Sequence, residues 1–361
     1  NKNRIPKTKH LHMKPSTKYL ALSTTLFTST AYYSEINNSL YEQQSQYYKK
    51  IDNDIKYLKL KTNLSSDFES PKYPIILCHG LSGFSTLQIL PSFSQIKNFF
   101  NPDTMKEARG LLCIDYWHGI KEKLEENGCK VFIAKVSPYG SISSRAEALN
   151  KYITQICSKE DIDKVNLIAH SMGGLDCRYL ISGINNKSYQ VLSLTTISTP
   201  HKGSEIADVL GKLDSILPQA FEQLTTTYVN DFNTKYPKDD NVKYFSYGAY
   251  CWPKWYNFFY ITWKYLFYND DSEPLEKRIN DGLVTLDSAK YGDYLGTLRH
   301  DDHLTLINWM DLSKKLETFR ILGKKENVQK VDKTNDTNIT DDIDILQFYV
   351  EICDNLGKLG F

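Results

Sequence analysis

Residues 164–180 read KVNLIAHSMGGLDCRYL. The run Val165 to Ala169 is short and apolar apart from Asn166, the pattern of a strand buried on both faces. The segment from Leu175 onward fits a helix. Between them, Ala169-His170-Ser171-Met172-Gly173 sets a serine where a strand must reverse sharply. Small residues at Ala169 and Gly173 let such a turn pack, and its strain lifts the Ser171 hydroxyl above the sheet edge. A serine hydroxyl is a poor nucleophile until a base takes its proton and an acid holds that base in one tautomer. An ordinary strand-turn-helix junction with an exposed serine satisfies the same five residues, so the rest of the chain has to supply the partners.

Working outward, a compact domain begins near Pro71. KYPIILC (72–78) reads as an apolar strand and HGLSG (79–83) as a Gly-rich turn directly after it. GCKVFIAKV, DKVNLIA and YQVLSLTTIS are further strands, separated by helix-compatible segments around residues 120–127, 145–157 and 175–181. Apolar strands alternating with amphipathic helices predict a mostly parallel sheet covered on both faces. In such a sheet the loops after the strands meet at one edge. The backbone N–H groups of Met172 and Leu81 are therefore the natural donors for an oxyanion. His79, with Gly80, reads as shaping its turn by hydrogen bonding, in preference to acting as a base.

The base and acid should follow the serine in the chain. NDGLVTLDSAKYG places Asp281 in a turn before an apolar strand candidate, and LRHDDHLTLIN offers His300 and His303. Spacing alone leaves both histidines open, and with them Asp281, Asp287, Asp301 and Asp302. The helix-like run HLTLINWMDL favours His303. Residues 205–270 read as a small helical and aromatic cap, with helices broken at Pro218, although residues 242–249 also fit a return to the sheet. Aliphatic and aromatic side chains in residues 206–217 and 244–268, Trp255 among them, suit an acyl-chain groove or a lipid surface; packing within the core is the alternative.

The chain has 361 residues, 41% of them hydrophobic, and a formal charge of +1. That balance does not point to a basic face for nucleic acid, while 25 Tyr and 16 Phe supply much amphipathic ring surface. Seven widely spread cysteines without a CxxC pair read as reduced. Residues 1–34 hold no acid, and Lys2, Arg4, Lys7, Lys9, Lys14 and Lys18 precede YLALSTTLFTSTAYY. This basic, hydroxyl-rich composition predicts a mitochondrial address, with a secretory signal, short anchor or plain extension as alternatives. Residues 1–70 thus form a leader and amphipathic helical extension, 71–322 the catalytic domain, 323–342 a polar linker and 343–361 a short docked helix.

In their order, PIILCHGLSG, DYWHGIKEKLEENG, VNLIAHSMGGLDCRYL, ISTPHKGSEIAD, NDGLV and DHLTLIN resemble the bacterial true lipases of the α/β-hydrolase superfamily and their fungal, mitochondrial relatives. The resemblance implies an α/β-hydrolase fold and cleavage of glycerolipid esters through a serine acyl-enzyme, with no cofactor. Long-chain acylglycerols at a droplet or membrane surface are the implied partners; a phospholipase, a short-chain carboxylesterase or a silent binding scaffold are the alternatives. It places the nucleophile on Ser171, the acid on Asp281, the base on His303, the oxyanion donors on Leu81 and Met172, and a loop-bracing arginine on Arg145. The bacterial calcium-binding aspartate falls on Thr305 and a second ligand position on Trp309, so that site lacks its oxygen donors and no metal is expected. A short interval before Asp281 argues against a long helical lid.

Overall fold

The computed structural model describes residues 67–81, 86–90, 112–211, 219–253, 257–270, 272–309 and 343–361. The basic leader, the amphipathic segment before Thr62, the 323–342 linker, Trp255 and the break at Pro218 lie outside the described residues.

The strands are β1 (Ile75–Cys78), β2 (Thr86–Leu90), β3 (Leu112–Asp115), β4 (Val131–Ile133), β5 (Lys164–His170), β6 (Gln190–Ile197), β7 (Lys243–Tyr250) and β8 (Asp293–Arg299). Six form one sheet in the order β4-β1-β5-β6-β7-β8, every neighbouring pair parallel. β2 and β3 pair separately and antiparallel. The helices are α1 (Ile120–Glu126), α2 (Ile142–Glu160), α3 (Gly173–Gly183), α4 (Glu205–Gly211), α5 (Gln219–Glu222), α6 (Thr226–Lys235), α7 (Tyr260–Tyr268), α8 (Leu286–Ala289) and α9 (Ile345–Lys358). This is the α/β-hydrolase fold, with a helical cap region contributed by the segments around β7.

The sheet needs cover on both faces because successive side chains of a strand point opposite ways. Ile75 and Leu77 pack with Trp117, Ile120, Leu124 and Phe348. Ile76 and Cys78 pack with Leu149, Ile153, Cys177 and Leu180. Local chemistry fixes where the covering helices start. The Ser141 hydroxyl accepts the Ser144 N–H ahead of α2, and the Asp344 carboxylate accepts the N–H groups of Leu346 and Gln347 ahead of α9. α2 stops at Asp161, whose φ of 55° leaves the helix. The cysteines at positions 78, 129, 157, 177 and 353 are buried thiols outside any disulfide, and Cys251 is buried as well.

Several sequence expectations change. The residues after Asp281 make only an isolated bridge, Asn280 to Thr285, and then α8. The strand is instead β8, whose polar start at Asp293 hides it from an apolar-run search. HLTLINWMDL is not a long helix among the described residues: Thr305–Ile307 is a single 3-10 turn that ends at Asn308 in the left-handed region (φ 62°). Much of the 244–268 aromatic segment is core, since Tyr244, Phe245, Tyr247 and Tyr250 of β7 are buried in the sheet. α9 goes further than docking. Phe348, Tyr349, Val350, Ile352 and Leu356 complete the core on the β1 face, and the Tyr349 hydroxyl donates to the Leu306 carbonyl at 2.9 Å.

The parallel register sets Cys78 beside Ala169 and His170 beside Ile197, so the carboxyl ends of β1, β5 and β6 open together. α3 then packs so closely beneath the β1 loop that a Cβ on Gly173 would lie 2.6 Å from the Cys78 carbonyl oxygen and 2.7 Å from that of His79. Both neighbours are backbone and cannot swing aside.

Gly173→Ala is therefore expected to lower stability by about 1–3 kcal/mol through overpacking, read as a reduced urea midpoint. Phe348→Ala should cost about 3–5 kcal/mol in the same assay. A loss below ~1 kcal/mol would return α9 to the status of an accessory contact.

Candidate active site

Ser171 stands between β5 and α3 with φ 57°, a left-handed value that costs an L-residue about 1–2 kcal/mol. Three contacts hold it there. Its N–H donates to the Ile197 carbonyl at 3.0 Å, its own carbonyl accepts the Thr199 hydroxyl at 2.7 Å, and the Gly174 N–H closes the turn onto the same carbonyl at 3.1 Å. From the other side the β1 loop presses in: a Cβ on Gly80 would lie 2.7 Å from the Ser171 Cβ.

Asp281 and His303 arrive from the loops after β7 and β8. Asp281 is fully buried, and its Oδ1 accepts the N–H groups of Leu283 (3.0 Å) and Val284 (2.8 Å), an Asx turn that fixes the carboxylate. Its Oδ2 stands 2.7 Å from His303 Nδ1, and the two loops are also joined by the His303 N–H to Asp281 carbonyl bond at 2.9 Å. His303 Nε2 lies 2.8 Å from Ser171 Oγ. An ionised carboxylate accepts only, so Nδ1 carries the proton and Nε2 is free to accept the serine hydroxyl.

The competing residues are engaged elsewhere. The Asp302 Oδ1 accepts the N–H groups of Leu304 and Thr305, Asp287 pairs with Lys202 at 2.7 Å, and His300 sits in a left-handed turn (φ 67°).

Arg145, fully buried on α2, ties the oxyanion loop to the helix behind the serine. Its Nη2 donates to the His79 carbonyl (2.8 Å) and the Gly80 carbonyl (3.2 Å), its Nη1 to the Ser137 carbonyl (2.6 Å), and its Nε and Nη2 to Asp176 Oδ2 at 2.9 and 2.7 Å. In a trans peptide the N–H points opposite the carbonyl. Holding the Gly80 oxygen thus turns the Leu81 N–H away from Arg145. Neither the Leu81 nor the Met172 N–H enters a backbone hydrogen bond among the described residues. Burial pushes the Asp176 carboxyl up to about 6, against the pull of Arg145.

His79 shapes its loop, donating from Nδ1 to the Gly80 carbonyl at 3.0 Å and accepting the Val136 N–H on Nε2 at 3.3 Å. Burial, helped by the Arg145 charge, lowers it to about 3, so it stays neutral.

Sequence reasoning missed a second line of support. The Tyr116 hydroxyl accepts the Gly80 N–H at 3.0 Å and donates to His170 Nδ1 at 2.7 Å, and the His170 ring packs 4.6 Å from that of His303. Burial, then the neighbouring His303, hold His170 well below the ordinary histidine range. Phe259, just before α7, sets its edge against the His303 ring at 6.4 Å. Tyr116 lies in the DYWHGI block, whose only signal was its place in an ordered set of motifs.

A family model described as "alpha/beta hydrolase fold" matches residues 73–238. The chain is 43% identical to "Triacylglycerol lipase 2" of Saccharomyces cerevisiae over 324 residues, 81% of this chain and 94% of that protein. It is 32% identical to a "Triacylglycerol lipase" of Burkholderia plantarii over 179 residues, 48% of this chain and 43% of that one. Among solved structures it is similar to the Staphylococcus hyicus lipase, with a TM-score of 0.50 at 18% identity over 73% of this chain and 96% of that chain, a likeness of fold alone. With 43% identity across nearly the whole of one such protein, the chain belongs to the α/β-hydrolase superfamily, among the lipases related to the bacterial and fungal triacylglycerol lipases, and is a serine hydrolase of lipid esters.

Proposed function

We propose that the chain hydrolyses long-chain acylglycerols at a lipid–water surface, using Ser171 as nucleophile, His303 as base and Asp281 as its orienting acid. One observation carries this reading: the unbroken line from Ser171 Oγ to His303 Nε2 (2.8 Å) and from His303 Nδ1 to Asp281 Oδ2 (2.7 Å). As Oγ attacks the ester carbonyl, its proton passes to His303 Nε2, and Asp281 stabilises the resulting imidazolium. The N–H groups of Leu81 and Met172 receive the oxyanion. Collapse of the tetrahedral adduct breaks the bond to the glycerol oxygen, which takes the proton from Nε2. Water then gives its proton to Nε2, attacks the acyl-enzyme, and releases the fatty acid and the serine hydroxyl.

The lipid surface is supported by α7. Ile261, Tyr265 and Tyr268 fall four and three residues apart on one face of the helix and are 81, 38 and 45% exposed, and Phe258, in the turn just before it, is 87% exposed. Phe259, Trp263, Leu266 and Phe267 on the opposite side are buried, and Phe259 reaches His303. The helix is thus anchored beside the serine with an apolar face turned outward, which suits docking on a lipid surface. No helix among the described residues is long and apolar enough to cross a membrane.

Ser171→Ala and His303→Ala are expected to cut turnover of any ester by on the order of 10⁶-fold in folded protein, and Asp281→Asn by about 10⁴-fold. Parental rates from purified S171A on a short soluble ester would end the assignment. Phe258→Asp with Ile261→Asp should lower activity on a long-chain triacylglycerol emulsion at least about tenfold, because each removes apolar area from the docking face. The same pair should leave a soluble short-chain ester almost untouched; equal losses on both substrates would remove the docking role.

A further inference from the structure

On α3, two turns beyond Ser171, Arg178 is 2% exposed. The nucleophile's chemistry makes no use of it. Its Nη1 donates to His201 Nδ1 at 3.3 Å and its Nη2 to the Tyr236 carbonyl at a long 3.4 Å, while Nε has no hydrogen-bond partner. His201 is no counter-charge. Its Nε2 donates to the Thr196 hydroxyl at 3.0 Å, the Thr196 hydroxyl in turn donates to the Phe245 carbonyl, and burial beside Arg178 and Lys238 keeps the ring neutral. The guanidinium lies 4.1 Å from the centre of the Tyr291 ring, a contact that fixes its plane without neutralising it. A buried charge without an ionic partner costs several kcal/mol in ordinary cases. It persists where a ligand completes it.

Arg178 lines a cavity of about 270 Å³ whose wall includes Lys202, Lys238 and Lys290 and no carboxylate. Lys202 and Lys290 are held from outside by Asp287 (2.7 Å) and Glu276 (2.6 Å), and the exposed Lys238 ammonium stands 4.7 Å from the Tyr291 ring. One wall residue has the opposite character. Asn233 donates from Nδ2 to the His201 carbonyl at 2.8 Å, and its buried Oδ1 has no hydrogen-bond partner. Cationic donors around a lone acceptor call for an anion that also carries a hydroxyl. A carboxylate or sulfate at neutral pH has none, whereas a phosphate group with its second pKa near 6 keeps a P–OH in part of its population.

We propose that this cavity, formed by Arg178, Lys238, Asn233 and Tyr291 behind the serine turn, binds a phosphate group, either free phosphate or the phosphomonoester of a lipid headgroup. The site is separate from the ester chemistry, and its occupant would brace the His201 loop that follows Thr199.

Thermal unfolding of the full chain in orthophosphate, sulfate and chloride at matched ionic strength tests it, with titration calorimetry of orthophosphate and glycerol 3-phosphate. Phosphate should raise the midpoint above sulfate, and sulfate above chloride. Because Arg178→Gln removes a buried side chain and can fail to fold, the deciding variant is Lys238→Glu at the exposed rim. It should weaken phosphate binding about tenfold, the worth of one charge-assisted bond, and leave turnover of a soluble short ester at the parental rate. Flotation with phosphatidic acid vesicles against phosphatidylcholine vesicles separates the sources. Retention on the former that orthophosphate competes away points to the headgroup, and calorimetric binding without vesicle preference points to free phosphate; either supports the site. Equal midpoints in the three salts, or unchanged affinity in K238E, would overturn it.

Discussion

A single guanidinium sets the geometry on which the site depends. Arg145 reaches across from α2 to bind two successive carbonyls of the β1 loop and a carboxylate on the helix that follows the serine. It therefore fixes the distance between the elements that carry Leu81 and Met172. Two charges taken out of water add little net stability when paired, yet breaking such a pair typically costs about 3–5 kcal/mol. The pair's worth here is in direction. It aims backbone donors at a point beside Ser171 before any substrate arrives, and preorganised dipoles pay no reorganisation energy when charge develops.

Charge around the serine is rationed in a consistent way. His79 and His170 are both buried and both held below the ordinary histidine range, each with a hydrogen-bonding task that a neutral imidazole performs. His303 has Asp281 instead. A positive charge on either neighbouring ring would oppose the imidazolium that forms during catalysis. Tyr116 joins the two halves of this arrangement, since one hydroxyl receives the loop's Gly80 N–H and supports the ring packed against His303. The oxyanion loop and the base are thus mechanically connected as well as adjacent.

Much of this was legible in the sequence because it rests on short-range rules. The buried runs of β1, β5 and β6 and the small residues of the serine turn are local signals, and the parallel sheet follows from their alternation with helices. The choice of His303 over His300, and of Asp281 over three other aspartates, was beyond local spacing and came from resemblance. The structure shows the physical reason: what distinguishes Asp281 is the contact of its Oδ2 with His303 Nδ1 and a backbone bond to the same residue, both across 22 residues. β8 was hidden because its partly exposed, polar opening lacks an apolar run. β7 was read partly as cap because aromatic residues serve a strand core and a lipid groove equally well. Tyr116 and His170 lie inside recognisable blocks, yet their shared role was hidden, since a hydroxyl bridging two distant loops leaves no pattern along the chain.

The place of α9 bears on how the chain comes into being. The Glu69 N–H binds the Asp354 carboxylate across 285 residues, and the apolar side of β1 is roofed by Phe348 and Tyr349. At a synthesis rate of ~5–20 residues per second, that roof emerges on the order of 15–60 s after the strand it covers. For that interval this face of the sheet has only Trp117, Ile120 and Leu124 over it, and the core stays incomplete until the last helix has left the ribosome.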